Sequence, residues 1–493
     1  MADSETPEPT LDIERHLKYW KMCLQAPLPV HYLSNDGNRM ALAYFIINAI
    51  SLLTPHSSQA QRETGRKPLI PPEDRPKLRQ WVLSHQQPGG GFAPTPSVVF
   101  PPKGDGQWEA VTGDDDVEGA GIANLPGTLF ALQLLALLAD ENNEACAFDG
   151  VDRVQTLKWL RRLQREDGSF GEVLKRLPGH GWFIGGGYDM RYCYIAASIR
   201  WILRGDVKEG EPGWVEDFDT KGLAEYILRT QTYDGGFAGS SQEEPHAGYA
   251  FCAISALSLL DRPQETTDTP HHSKILHQGI RNMPGLIHWL ASRQFVYLDP
   301  SSPLAKPPCT STTNAAQDPG DPNSPQEDDD DDEEDEDNFL LPHHPSALWP
   351  PQNRRHVACN GRCNKVADTC YTWWVGAALV QLGLGLPANN SNSNNNNNNN
   401  PQSASSVLDW PASRRFLLEK TAHRVGGFAK YPGGPPDVYH ACFGLTALAV
   451  MGEEPGLNRV DAGLAVPVHT VKVMEKARAR LLEKAKGGGG ADW

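Results

Sequence analysis

The chain has 493 residues and a formal net charge of -16, but residues 327–337 are an unbroken acidic run of eleven, and without them the charge is about -5. A nucleic-acid face is excluded, because phosphate binding needs a surplus of Lys and Arg. No stretch approaches the roughly 18 apolar residues of a membrane span, while 39% hydrophobic residues supply a large core. Residues 1–10 are polar and acidic, not a leader, and are expected to be disordered. The nine cysteines are odd in number and scattered, and several lie inside apolar runs. That usage fits a reducing, cytoplasmic setting with most thiols acting as small buried hydrophobes.

Along the chain one pattern recurs: a Gly-rich turn ending in Phe, followed by an amphipathic helix. The turns are Gly89-Gly90-Gly91-Phe92, Asp167-Gly168-Ser169-Phe170, Asp234-Gly235-Gly236-Phe237 and Gly426-Gly427-Phe428. Three of them follow a helix whose last turn carries Gln, at Gln86 or Gln87, Gln164 and Gln231. Helices are predicted at 191–203, 246–260, 368–382 and 437–451, each apolar on at least one full face. Phe237 to His246 and Phe428 to Asp437 are both nine residues, so the helix starts are in register. Repeated helical hairpins stack or close into a ring. The expected fold is therefore all-α: an α/α barrel of inner and outer helices forming one domain over 11–455. An acidic, Pro-rich insertion (about 299–353) and an Asn-rich one (389–400) interrupt it as mobile tracts, because neither can bury enough apolar surface to order itself. A C-terminal helical segment and Gly-rich tail occupy 456–493.

If the helix starts share one rim, Asp368, Cys370 and His440 converge there. A carboxylate, a thiolate and an imidazole make a three-ligand Zn²⁺ set with the fourth tetrahedral position open, the pattern of a catalytic site. Cys359 and Cys363 are further candidates but lack a C-x-x-C pairing. Arg362, Lys365, His246 and Tyr371 would gather on the same rim, which suits an anionic substrate above an apolar tunnel. Asp114-Asp115-Asp116-Val117-Glu118 superficially resembles an acidic Mg²⁺-diphosphate motif, but its Gly-flanked setting argues for a loop.

The segment 361–376 (GRCNKVADTCYTWWVG) resembles the zinc and diphosphate segment of protein prenyltransferase β subunits. The Q…GGF turns, Pro245-His246-Ala247-Gly248-Tyr249, Asp189-Met190-Arg191-Tyr192-Cys193-Tyr194, Gly427-Phe428-Ala429-Lys430-Tyr431 and Glu14-Arg15-His16-Leu17-Lys18-Tyr19-Trp20 also match, over roughly 11–295 and 355–455. The resemblance implies Asp368, Cys370 and His440 as zinc ligands, with His246, Arg362, Lys365 and Tyr371 on the isoprenoid diphosphate. Arg191, Tyr192, Tyr194, Trp374 and Tyr439 would line the peptide and lipid pocket. Two positions point to the type I geranylgeranyl branch. Lys430 stands where farnesyl enzymes carry a Mg²⁺-binding aspartate, so Mg²⁺ is not expected to be required. Ala41, one turn before Phe45, stands where those enzymes carry a bulky Trp. Tyr439 is aromatic as in the farnesyl enzymes, which remain the alternative. The expected partners are a prenyltransferase α subunit, geranylgeranyl diphosphate and CaaX-terminated proteins such as Rho-type GTPases. A Rab-type β subunit, a terpene cyclase and a non-enzymatic helical-toroid module are the remoter readings.

Overall fold

The computed structural model describes residues 8–55, 65–98, 122–177, 181–266, 272–298, 344–345, 355–384, 407–452 and 454–487. The Asn-rich insertion, the acidic insertion apart from residues 344–345, most of the first ten residues and the 114–118 acidic motif lie outside these residues. Six helical hairpins follow in chain order. They are α1 (Ile13–Gln25) with α2 (Arg39–Leu53), α3 (Arg75–Leu83) with α4 (Leu125–Leu137), and α5 (Arg153–Arg162) with α6 (Met190–Leu203). After them come α7 (Thr220–Thr230) with α8 (Ala247–Leu260), the one-turn α9 (Lys274–Gln278), α10 (Met283–Ala291) with α11 (Thr369–Gln381), and α12 (Trp410–Arg415) with α13 (Val438–Met451). A long last helix, α14 (Val468–Gly487), ends the described chain.

The second helix of each pair is apolar all round and buried, as in α8, where Ala250, Phe251, Ala253, Ile254 and Leu257 are all buried. These six helices form a closed ring, each packing on the next in the order α2, α4, α6, α8, α11, α13 and back to α2. The more amphipathic partners stand outside them. The result is an α/α toroid, and the expected fold class holds.

Why the ring closes is visible at the turns. In each, the Phe bridges to the residue six positions before it: Gln86 to Phe92, Gln164 to Phe170, Gln231 to Phe237 and Ala422 to Phe428. The left-handed glycine of each turn sits against the third residue of the next outer helix. A Cβ on Gly90, Gly168, Gly235 or Gly426 would fall 2.1–2.5 Å from the backbone oxygen of Gln155, Gly222, Gly285 or Arg15. The last of these contacts joins the sixth hairpin to α1. The glutamines do a second job: Gln164 and Gln231 each donate to the carbonyl and accept from the N–H of the N-cap residue of the next outer helix, Asp219 and Asn282.

A fifth turn escaped the sequence pattern. Gln294 starts β3 (Gln294–Val296), pairs with Cys359 in β5 (Val357–Cys359), and clamps the N-cap residue Asp409 by accepting from its N–H at 2.9 Å. Cys359 thus takes the Phe place, nine residues before Asp368, and the long insertion opens this turn from within. His344–Pro345 adds a short strand, β4, to this sheet. The described residues also hold an antiparallel hairpin, β1 (Val173–Leu177) with β2 (Gly181–Gly185), which lengthens the connection into α6. The strand numbering is in chain order.

Residues 461–466 lie across the C-terminal ends of the inner helices. Tyr44 Oη and Asn48 Nδ2 donate to the Ala465 carbonyl at 2.7 and 2.9 Å, and Gln133 Nε2 donates to Leu464 O at 2.8 Å. Arg262 closes the floor with an ion pair to Asp461 at 2.6 Å. Buried amides are tolerated here because each finds a carbonyl. The floor covers that end of the ring.

Candidate active site and metal centre

The rim is built from helix N-caps. Asn124, Asp189, His246, Asp368 and Asp437 cap α4, α6, α8, α11 and α13, and each side chain accepts a backbone N–H of its own helix. The chain reaches these caps from the Phe of the preceding turn: His246 N donates to Phe237 O, and Asp368 N to Cys359 O. Repeat geometry therefore delivers successive cap side chains to one edge, with the positive ends of the helix dipoles pointing there.

Asp368, Cys370 and His440 come together at that edge, with one donor atom from each lying within 4.8 Å of the others. Asp368 Oδ1 accepts from Cys370 N at 2.8 Å, which ties the carboxylate to the first turn of α11. His440 Nδ1 is held at 2.7 Å from Asp437 Oδ2, so Nε2 is left as the ligand atom of the ring. Asp437 was read from sequence only as a helix start. The signal for its role is the D-x-x-H spacing, which puts the imidazole over its own cap. Burial pushes the Asp368 carboxyl up, opposed by His440. Burial, with Asp368 beside it, also pushes the Cys370 thiol up. An acid and a thiol driven together toward protonation in a buried cluster with an imidazole are the setting that a bound cation reverses. The oxygen, sulfur and nitrogen donors suit Zn²⁺.

Lys430 lies on the approach to α13, and its backbone is fixed by Thr369, whose N–H donates to Lys430 O at 3.1 Å. Its ammonium is close enough to pull both Asp368 and Cys370 down against their burial, and it lies 5.2 Å from the Tyr431 ring centre.

Of the groups expected on the anionic side, His246 lies beside Tyr371 and feels the charge of Arg362. Burial, then Arg362, lowers His246 to about 4, so this imidazole is neutral near pH 7 and is no cation. Its Nδ1 accepts from Gly248 N at 2.9 Å, which puts the proton on Nε2, aimed at Tyr371 Oη 2.9 Å away. Gly361 makes room for that tyrosine: a Cβ there would meet the Tyr371 ring at 2.1 Å. Arg362 is half-buried and 3.7 Å from Glu244, and Asn360 holds the Lys365 carbonyl at 2.9 Å.

Below the rim the wall is aromatic. Phe45 meets Tyr439 edge-on at 5.5 Å and Phe443 at 5.7 Å, and Trp374 lies between Phe443 (4.6 Å) and Phe251 (5.0 Å). Ala41 is half-buried, one turn before Phe45 on α2. Tyr194 is almost fully buried against Phe251, so it is wall packing more than open surface. Arg191 is ion-paired to Asp189 at 2.6 Å, and the Tyr192 hydroxyl donates to Glu172 at 3.0 Å. Arg191 and Tyr192 therefore sit at the start of α6, while Tyr194 lies deeper, toward Arg262 and Asp461. A separate apolar cleft of about 570 Å³ opens between α1, α2 and α3, lined by residues such as Leu24, Tyr32, Leu42 and Trp81. Cys370 and His440 do not line it.

The sequence profile of the prenyltransferase alpha-alpha toroid domain matches residues 11–471. The chain is 26% identical to the geranylgeranyl transferase type-1 subunit beta of Arabidopsis thaliana over 94% of this chain and 91% of that protein. It is 25% identical to the protein farnesyltransferase subunit beta of Pyricularia oryzae over 90% of this chain and 63% of that protein. Among solved structures, the Candida albicans protein geranylgeranyltransferase-I complexed with GGPP superposes with a TM-score of 0.62 at 21% identity, covering 95% of this chain and 99% of that one. The last likeness speaks for the fold alone.

Proposed function

From its membership of the prenyltransferase alpha-alpha toroid family, to which this chain belongs, we propose that it is the β subunit of a type I protein geranylgeranyltransferase. The reaction joins the sulfur of a C-terminal CaaX cysteine to C1 of geranylgeranyl diphosphate as a thioether and expels diphosphate. The observation that carries this reading is the Asp368, Cys370 and His440 cluster, with Lys430 beside it, at the rim of an aromatic-lined ring. Similarity to type-1 subunits from two organisms supports it.

Asp368, Cys370 and His440 would hold Zn²⁺, which when bound supplies a Lewis acid that keeps the substrate sulfur as thiolate at neutral pH. Asp437 fixes the tautomer and aim of His440. On the anionic side, Nε2–H of His246 donates, Tyr371 is oriented by it, and Arg362 and Lys365 bring charge. Lys430 meets the negative charge that grows on the diphosphate as the C–O bond breaks, so a side-chain ammonium takes the place of Mg²⁺. Donors aimed at charge that develops only in the transition state lower the barrier. Phe45, Trp374 and Phe443 exclude water from the lipid chain and the reacting carbon. An α subunit completes the site from outside as a heterodimer, and small GTPases with CaaX ends are the protein substrates.

The farnesyl reading is favoured by one observation: an aromatic ring stands at position 439, where Tyr439 packs on Phe45 and Phe443 in the wall. The test is co-expression with a candidate α subunit, followed by assay of geranylgeranyl and farnesyl diphosphates against peptides ending in Leu or Ser. Preferential geranylgeranylation of the Leu peptide is expected. Preferential farnesylation of the Ser peptide would reassign the chain.

A further inference from the structure

The loop that presents Arg362 and Lys365 also carries a thiol at its tip. Cys363 is exposed, whereas Cys146 is half-buried and the other described cysteines are buried. Beneath it lies Arg293, only 5% exposed. The Arg293 guanidinium lies over the Trp289 ring at 4.7 Å, and Nε donates to Trp289 O at 3.3 Å. Nη2 donates to Ser292 Oγ at 3.1 Å and to Cys363 Sγ at 3.4 Å. Nη1 is buried and has no hydrogen-bond partner among the described residues. A buried charged donor left unused is costly, and the same guanidinium already holds the Cys363 sulfur through Nη2. No metal ligand touches this pair.

We propose that Cys363 is a redox modification site for small anionic disulfides. The Cys363 thiol gives its proton to solvent, and Arg293 meets the negative charge that this leaves on the sulfur. That sulfur attacks one sulfur of the disulfide, forming a protein mixed disulfide. The other half leaves as a thiolate, so one S–S bond is made for one broken. A guanidinium beside a cysteine is the general setting of reactive thiols. A consequence rests on the proposed function: the carboxylates of an attached tripeptide would stand between Arg362 and Lys365 and compete with diphosphate for them.

The test uses the co-purified heterodimer, oxidised glutathione as probe, and peptide mass spectrometry to follow each cysteine. Cys363 is expected to react about tenfold or more faster than Cys146 and the buried cysteines. Arg293→Gln should slow Cys363 about tenfold, and Arg293→Lys, which keeps a cation, should slow it less. Cys363 reacting no faster than Cys146 would overturn the proposal, as would an Arg293→Gln protein reacting like wild type. Should the Gln variant fail to fold by circular dichroism, the wild-type ranking and the Lys variant decide. A second arm measures binding of a fluorescent geranylgeranyl diphosphate analogue. Affinity should drop about tenfold after modification and return with dithiothreitol, and glutathione should leave Cys363→Ser unaffected. Unchanged affinity at full modification would overturn the competition. The labelling arm uses no isoprenoid, so it stands or falls apart from the prenyl-transfer reading.

Discussion

At position 370 a thiol is buried against a carboxylate, an arrangement that a bound cation would stabilise. Cys370→Ala is therefore expected to remove bound zinc and activity together while the helical circular dichroism stays near wild type. Elemental analysis finding one zinc per chain in that variant would reject the ligand set. Asp437→Ala leaves all three ligands in place but frees the imidazole. Zinc affinity should fall about 10–100-fold, measured by competition with a chelator. Lys430→Asp should slow transfer roughly 10²-fold without Mg²⁺, and millimolar Mg²⁺ should restore part of it because a carboxylate can recruit the missing cation. A wild-type rate that itself climbs with Mg²⁺ would count against the role given to Lys430. Much of this cluster was legible because D-x-C and a distant His each begin a helix in a repeat of fixed register. The charge on His246 was misjudged, since composition cannot show that burial and Arg362 hold that ring neutral.

Between elements, the joint that matters is glycine against a helix backbone. Gly426 has φ +94°, and a Cβ there would lie 2.4 Å from Arg15 O; Gly433 has φ +85° with nothing within 4 Å. Gly433→Ala should show only the conformational penalty, while Gly426→Ala should add a steric cost of about 1–3 kcal/mol in chemical denaturation. Equal losses would mean that the contact with α1 is slack. The four turns with GGF or GSF were readable from sequence because each sets glycine immediately before a Phe or one residue from it. The fifth was not, because its Gln294 and Cys359 are separated by the insertion and Cys replaces Phe. The β1–β2 hairpin was also missed, although Leu177-Pro178-Gly179 between two apolar runs is a turn signal. A Gln recurs at the ends of three helices, but its clamp is invisible in sequence: a Gln at a helix end looks solvated until the next helix is placed beside it.

Across the whole toroid, the seam between α1 and the last turn differs from the other joints. Ala422 stands where a clamping Gln would be, and His16 takes over, its Nδ1 accepting from Gly427 N at 3.1 Å. Burial, then Arg15, lowers His16 to about 4 from 6.5. The unfolded chain therefore binds the extra proton between those values, and stability should fall as pH drops from about 6.5 toward 4. The total from this group is at most ~3 kcal/mol. His246 titrates over the same window, so the share of His16 is read from His16→Asn, whose amide oxygen can still accept from Gly427 but cannot charge. Its denaturation midpoint should depend less on pH than that of wild type, and an unchanged slope would assign the effect elsewhere. The seam also joins residues 411 positions apart. During synthesis at about 5–20 residues per second, α1 leaves the ribosome on the order of a minute before the turn that covers it exists. For that interval Tyr19, which packs on Gly426 and Gly427 in the finished ring, lacks that cover. Ribosome-bound chains halted before residue 426 should be cut by protease within α1, and chains halted past α13 should not. The ring is thus closed late, when the turn before α13 reaches back to the first helix.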